Sequence, residues 1–126
     1  MLLTHMSGLK HTYSCDNITD RSKAIETILN ETPMVATPGD KYNYSGDNYT
    51  LLAAIIEMAS GETFENFIKE NVLQPVGIRK EAFSGLMQEK QYNDFASPIE
   101  NSTYKSLKDI EPSWGRKGRA GMILSV

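Results

Sequence analysis

Four kinds of side chain in this sequence could carry chemistry: a tyrosine at a loop-to-helix junction, serines spaced three residues from lysines, two histidines and one cysteine. Tyr44 stands in the run Tyr44-Ser45-Gly46, and the residues alone leave two readings of it open, an aromatic wedge packed against a helix or a reactive phenol. Two strings, Ser7-Gly8-Leu9-Lys10 and Ser102-Thr103-Tyr104-Lys105, have the S-x-x-K spacing. A serine hydroxyl is a poor nucleophile until a neighbouring group takes its proton. A lysine three residues on can help only if both side chains lie one turn apart on the same face of a helix. Gly8 inside the first string favours a turn, and motifs this short arise by chance in a chain with this many serines and lysines. His5 and His11 have no partner at metal-ligand spacing, and H-E-x-x-H is absent, so neither a metal nor a cofactor is expected. His5 is expected to buttress a loop by hydrogen bonding. The lone Cys15 rules out an internal disulfide and a cysteine-based zinc site, and reads as a free thiol in a polar loop. Any chemistry is therefore expected at Tyr44-Ser45-Gly46.

The elements that must position that run are mostly helical. Asp20 suits the N-cap of a helix to about Asn30 with Ala24, Ile25, Ile28 and Leu29 on one face, and Pro33 ends it. Met34-Val35-Ala36 reads as a short extended piece and Pro38-Gly39 as a turn. A central helix follows from Asp47 or Asn48 to Ala59, with Leu51, Leu52, Ala54, Ile55, Ile56, Met58 and Ala59 nearly encircling it. Such a helix belongs inside a larger core. Gly61 supplies its left-handed stop. Thr63 then caps a further helix to about Leu73 whose apolar stripe is Phe64, Phe67, Ile68 and Val72. Beyond Ile78 the pattern weakens, and no long strand is expected.

Length and composition set the outer bounds. At 126 residues the chain reads as one domain, with 40% hydrophobic and 23% charged residues, ordinary for a soluble globular fold. A net charge of −3 and a pI near 5.4 argue against nucleic acid as a partner, because phosphate binding needs a basic surface. No stretch approaches the roughly 18 apolar residues of a membrane span. The first residues lack the basic flank and long apolar run of a signal peptide, so the chain as written reads as cytoplasmic.

Taken in order, several segments together resemble one family. Leu2-Leu3-Thr4-His5-Met6-Ser7-Gly8-Leu9 looks like its "LLTHxSGL" segment, and Pro38-Gly39 followed by Tyr42-Asn43-Tyr44-Ser45 like "PG…F-x-YS". Asn48-Tyr49-Thr50-Leu51-Leu52, Gly61-Glu62-Thr63-Phe64, Pro75-Val76-Gly77-Ile78 and Ala120-Gly121-Met122 with Ser125 continue the register across nearly the whole chain. The family is the serine β-lactamase-like superfamily of class C β-lactamases, D-Ala-D-Ala carboxypeptidases and related penicillin-binding esterases.

The resemblance implies a fold and a chemistry. The family acylates the serine of an S-x-x-K helix, uses the tyrosine of a Tyr-x-Asn motif as proton shuttle, and places a K-T-G or H-x-G strand beside the substrate. Tyr44 falls on the tyrosine position, with Ser45 and Gly46 completing the motif, Gly46 standing where the family has asparagine. The S-x-x-K serine lies upstream of the segment matched by Leu2 to Leu9, and the K-T-G strand downstream of Ala120-Gly121. No Lys-Thr-Gly, Lys-Ser-Gly or His-x-Gly occurs in the sequence. The expected architecture over 1–126 is therefore mainly α, the helical subdomain of the β-lactamase/transpeptidase-like α+β fold, lacking most or all of its antiparallel sheet. The expected substrates of a full-length parent are β-lactams, D-Ala-D-Ala peptides or esters, and such a parent would work outside the cytoplasm. The chain alone is expected to be inactive and to self-associate through Leu51, Leu52, Ile55 and Ile56. A helical binding or structural module, or the relic of a split gene, is the alternative.

Overall fold

The computed structural model describes residues 1–77 apart from Tyr13 and Asp16, and beyond them the backbone of four two-residue strands. Three α-helices dominate: α1 (Arg21–Glu31), α2 (Asp47–Ser60) and α3 (Phe64–Ile68), the last running into a π-helical turn, Lys69–Leu73. The strands β1 (Ala82–Phe83) and β4 (Ile123–Leu124) pair antiparallel, as do β2 (Ile99–Glu100) and β3 (Thr103–Tyr104). The 120–122 segment and Ser125 lie outside the described residues.

Local sequence signals set the helix ends. The Asp20 carboxylate accepts from Lys23 N at 2.8 Å, satisfying one of the amides that a helix start leaves without a partner. The helix closes at Glu31 because Pro33 holds Thr32 in extended backbone (φ −78°, ψ 116°). Gly61 ends α2 in the left-handed region at φ 75°, its N–H donating to Glu57 O. Thr63 Oγ1 accepts from Asn66 N at 3.3 Å and opens α3. Gly39 has φ 96° and Asp40 N donates to Thr37 O at 3.1 Å, which makes Pro38-Gly39 the centre of a type II turn.

Two faces differ from the periodicity expected of the sequence. In α3, Gln74 N reaches back five residues to Lys69 O at 2.9 Å, so one extra residue enters the last turn. The position that Val72 would occupy on a regular stripe passes to Leu73: Leu73 is buried and Val72 faces out. In α2 the inward face is Thr50, Ala53, Ala54 and Glu57, while Ile55 is 52% and Met58 73% exposed. Leu51, Leu52 and Ile56 are half-buried. Small side chains on the inner face let Ala54 meet Ala24 and Ile28 of α1 in one cluster with Leu9 and Cys15. Cys15, read from sequence as a polar-loop thiol, is thus fully buried, and its Sγ donates to Asp47 Oδ1 at 3.7 Å.

Glu57 ties the three helices together. Its Oε1 accepts from Phe64 N at 2.9 Å, serving the start of α3, and its Oε2 meets Arg21 Nη1 of α1 at 3.3 Å. The N-terminal segment is laced to the stretch after α1 by backbone bonds: Val35 N to Gly8 O at 2.8 Å, Lys10 N to Pro33 O at 2.9 Å, Gly39 N to Met6 O at 2.8 Å and Asn43 N to His5 O at 2.8 Å. That lacing needs a glycine at position 8, where φ is +80° and a Cβ would lie 2.0 Å from Ala36 O. Gly61 is equally left-handed but has open space around it. Gly61→Ala is therefore expected to cost about 1–2 kcal/mol, the ordinary penalty of a left-handed L residue. Gly8→Ala should cost about 2 kcal/mol more, because overpacking forces backbone to move. Urea midpoints of the two variants against the parent chain measure the difference.

Candidate functional site

Tyr44 is the last exposed residue before α2, and the chain beneath it is fixed from below. Ser45, Gly46, Asp47 and Asn48 are all buried. Gly46 is the N-cap of α2 and brings no side chain to the cap. Histidines of the N-terminal segment accept from the two amides at this junction: Ser45 N donates to His5 Nδ1 at 3.3 Å and Gly46 N donates to His11 Nδ1 at 2.9 Å. The Ser45 hydroxyl donates to Lys10 O at 3.3 Å. The Asn43 amide, two residues earlier, donates to Leu9 O at 2.7 Å.

Asn48 locks this junction from inside the helix. Its Oδ1 accepts from Ser7 Oγ at 2.7 Å, its Nδ2 lies 3.3 Å from His5 Nδ1, and Ser7 Oγ accepts in turn from Leu9 N at 3.2 Å. Asp47 is anchored alongside by Thr12 Oγ1 at 2.8 Å and by Cys15. A carboxylate in the first turn also suits the positive end of the helix dipole.

The aromatic rings form a second layer. His5 lies 4.6 Å from Tyr44, 5.3 Å from Tyr49 and 5.8 Å from Tyr42, ring centre to ring centre. His11 packs on Tyr44 from another direction at 5.2 Å. His5 is the one non-glycine residue with positive φ (54°) among those described, and that turn aims its ring into the tyrosine cluster. Tyr44 remains 53% exposed, and no hydrogen bond from the described residues reaches its hydroxyl. The geometry thus gives a half-exposed phenol whose ring is packed by two imidazoles and whose hydroxyl has no hydrogen-bond partner among the described residues.

Of the residues singled out in the sequence, Tyr44, Ser45 and Gly46 share this junction, and His5 buttresses it as expected. Ser7-Gly8-Leu9-Lys10 is not a catalytic pair: Gly8 is left-handed, Ser7 is buried against Asn48, and Lys10 is exposed. Ser102 and Lys105 lie outside the described residues. Sequence reasoning missed the roles of His11, Asp47, Asn48 and Glu57. The available signal was polar residues within an otherwise apolar helix, which are inward-facing only when something across the fold satisfies them. Among the described residues, no group of histidine, cysteine or acidic side chains could hold a metal ion, and no helix is long and apolar enough to cross a membrane.

The chain is similar to known proteins. The family model described as Beta-lactamase matches residues 1–126. A putative penicillin-binding protein of Bacillus subtilis, PbpX, is 28% identical over 122 residues, covering 97% of this chain and 30% of its own length. A putative D-alanyl-D-alanine carboxypeptidase of Escherichia coli K12 is 30% identical over 69 residues, covering 55% of this chain and 16% of its own. Among solved structures, a D-amino acid amidase of Ochrobactrum anthropi complexed with L-phenylalanine superposes at TM-score 0.76 with 18% identity, covering 98% of this chain and 37% of that one. An octameric penicillin-binding protein homologue from Pyrococcus abyssi gives TM-score 0.64 with 25% identity, covering 99% and 31%. The chain thus spans less than a third of the length of these two curated relatives.

The Ser7–Asn48 bond should be measurable in isolation. A double-mutant cycle of Ser7→Ala and Asn48→Ala on thermal or urea stability is expected to give a coupling of about 1 kcal/mol. Asn48→Ala alone should cost about 2–3 kcal/mol, because it strands the Ser7 hydroxyl and removes a partner of His5.

Proposed function

This chain belongs to the beta-lactamase family, and from that premise we propose that it is the central helical part of a serine acyl-hydrolase in which Tyr44 moves the proton. One observation carries the reading: Tyr44 is exposed, packed by two imidazole rings, and mounted on a turn whose Ser45 and Gly46 amides are both tied down. The brace costs little entropy at the moment of reaction, since the ring is already placed.

The chemistry asks for more than Tyr44. A serine hydroxyl attacks the substrate carbonyl, its proton passes to the tyrosine oxygen, and the same proton later goes to the leaving group. A phenol whose ordinary pKa is about 10 takes that role only as phenolate, which a neighbouring ammonium must favour. Neither Ser45 nor Ser7 supplies the nucleophile, since both hydroxyls are held by hydrogen bonds at the buried junction. The nucleophile, the ammonium and the donors for the oxyanion must reach Tyr44 from outside the described residues. The share of its relatives' length that the chain spans supports the same division.

Gly46 bears on the substrate. A side-chain amide in its place could hold an acyl amide against the site, and glycine cannot. Substrates that need less of that grip, small esters or D-amino acid amides, therefore suit the site better than β-lactams. The amide chemistry named for a D-amino acid amidase of this fold and for a putative D-alanyl-D-alanine carboxypeptidase among the relatives supports an amide-cleaving site.

The 126-residue chain is expected to resist acylation by a fluorescent penicillin. In a polypeptide extended through the coding frame on both sides, hydrolysis of a D-amino acid amide or D-alanyl-D-alanine peptide should appear. Tyr44→Phe there should lower kcat about 10²–10⁴-fold, as expected for loss of a general acid–base group, with KM little changed. Labelling of the short chain itself, or full activity of Tyr44→Phe, overturns the reading. The outward Ile55 and Met58 of α2 support a second expectation, self-association of the isolated chain. Sedimentation should show species above monomer mass at micromolar concentration, and Ile55→Lys with Met58→Lys should return the monomer.

A further inference from the structure

We propose that His11 is a positioning residue for Tyr44, acting through the Nε2-protonated neutral tautomer of its imidazole. The inference takes from the preceding section only the identity of the group being positioned, and its geometry stands without any assumption about substrate. A backbone N–H can only donate, so the 2.9 Å contact from Gly46 N obliges His11 Nδ1 to be an unprotonated acceptor. In a neutral ring the proton then resides on Nε2. The same ring packs on Tyr44 at 5.2 Å. One side chain thus holds both the backbone two residues after Tyr44 and the face of its ring.

Gly46 is the N-cap of α2 and has no side chain with which to brace the turn. An imidazole from across the fold accepts from its amide, and the same ring packs on the phenol. His5 supports the preceding amide in the same tautomeric sense, but it shares Nδ1 between Ser45 N and Asn48 Nδ2 at 3.3 Å each. The His11 contact is the shorter and more direct one.

Protonation removes this contact. An imidazolium carries N–H at both nitrogens, so Nδ1–H would face Gly46 N–H and the two donors would oppose each other. Among the described residues, Tyr44 packs on the ring, Lys10 precedes it in the chain, Asp47 follows Gly46, and His5 also packs on Tyr44. Asp47 is engaged with Thr12 and Cys15, and Lys10 is exposed. The acceptor role fixes the sign: the brace is whole while His11 Nδ1 is unprotonated and is lost when that nitrogen carries a proton.

Amide and ring NMR of the ¹⁵N,¹³C-labelled 126-residue chain tests this without requiring catalysis. On acidification, the Gly46 amide and the Tyr44 ring signals should move with the midpoint of the His11 ring, and Gly46 exchange protection should fall about tenfold, the scale of one lost hydrogen bond. His11→Asn offers a carbonyl oxygen near the place of Nδ1 and should keep the protection at neutral pH while abolishing its pH dependence. His11→Phe keeps an aromatic ring but no acceptor and should lose about tenfold of the protection at every pH. Gly46 and Tyr44 signals indifferent to the His11 midpoint overturn the proposal, as does full protection in His11→Phe. Should His11→Phe fail to fold, the titration of the unsubstituted chain decides alone. Loss of activity in Tyr44→Phe concerns the acyl-transfer reading and leaves this result unaffected, so the two can fail separately.

Discussion

Asn48 is sealed from water, and a buried side-chain amide is tolerable only if its polar ends are satisfied. One end takes the Ser7 hydroxyl proton and the other meets the His5 ring. Both partners come from the N-terminal segment, about forty positions earlier in the chain, so the helix start and that segment cannot separate without stranding three polar groups at once. Everything at the candidate site hangs on this pairing. It sets His5 against Ser45, it keeps Gly8 and Leu9 against the strand-like stretch around Met34, and it brings His11 over Gly46.

The apolar core is too small to do this alone. Leu9, Cys15, Ala24, Ile28 and Ala54 form one cluster with Ile18, Ile25 and Leu51 at its margin. Against it stand buried Ser7, Thr27, Thr32, Ser45, Asp47, Asn48, Thr50 and Glu57. Hydrophobic burial is non-directional and would accept several registers of α2 against α1. Hydrogen bonds to Asn48, Asp47 and Glu57 accept only one. The inward polar face of α2 therefore specifies rather than merely stabilises, and the cost is that Ile55 and Met58 are turned outward. An outward pair of that kind is compatible with a helix that meets further protein on its other side, the situation of a helical subdomain within the β-lactamase/transpeptidase-like fold.

What the sequence made legible was local. Asp20, Pro33, Pro38-Gly39, Gly61 and Thr63 act on their own few residues through caps, ring closure and left-handed backbone, and each stands where its chemistry requires. The helical character and the family register were legible for the same reason, as a series of short signals in order. The inner face of α2 was not, because counting apolar residues assigns Leu and Ile to the core, whereas the close approach of α1 favours alanine and threonine there. Nor was the π-helical turn that substitutes Leu73 for Val72, since one inserted residue leaves no mark on composition. Cys15 looked like a loop thiol because the loop is polar; only the fold shows that this loop crosses the start of α2. Register singles out Tyr44, but its contacts with two imidazoles, set across more than thirty residues, leave no mark in the local sequence.

Gly46 joins these threads. A residue that caps a helix with its own side chain is fixed by local geometry, and one without a side chain must be fixed from elsewhere. Here the fixing groups are imidazoles, which bind an amide proton only while neutral, whereas a carboxylate or hydroxyl cap would tolerate a wider range of conditions. The turn beneath Tyr44 is thereby held by acceptors that no residue of the turn itself contains. Tyr44 gains a defined ring position from this arrangement, and the arrangement is whole only while both Nδ1 atoms are unprotonated acceptors. The two histidines that give the phenol its place are therefore as much a part of the junction as Gly46 itself.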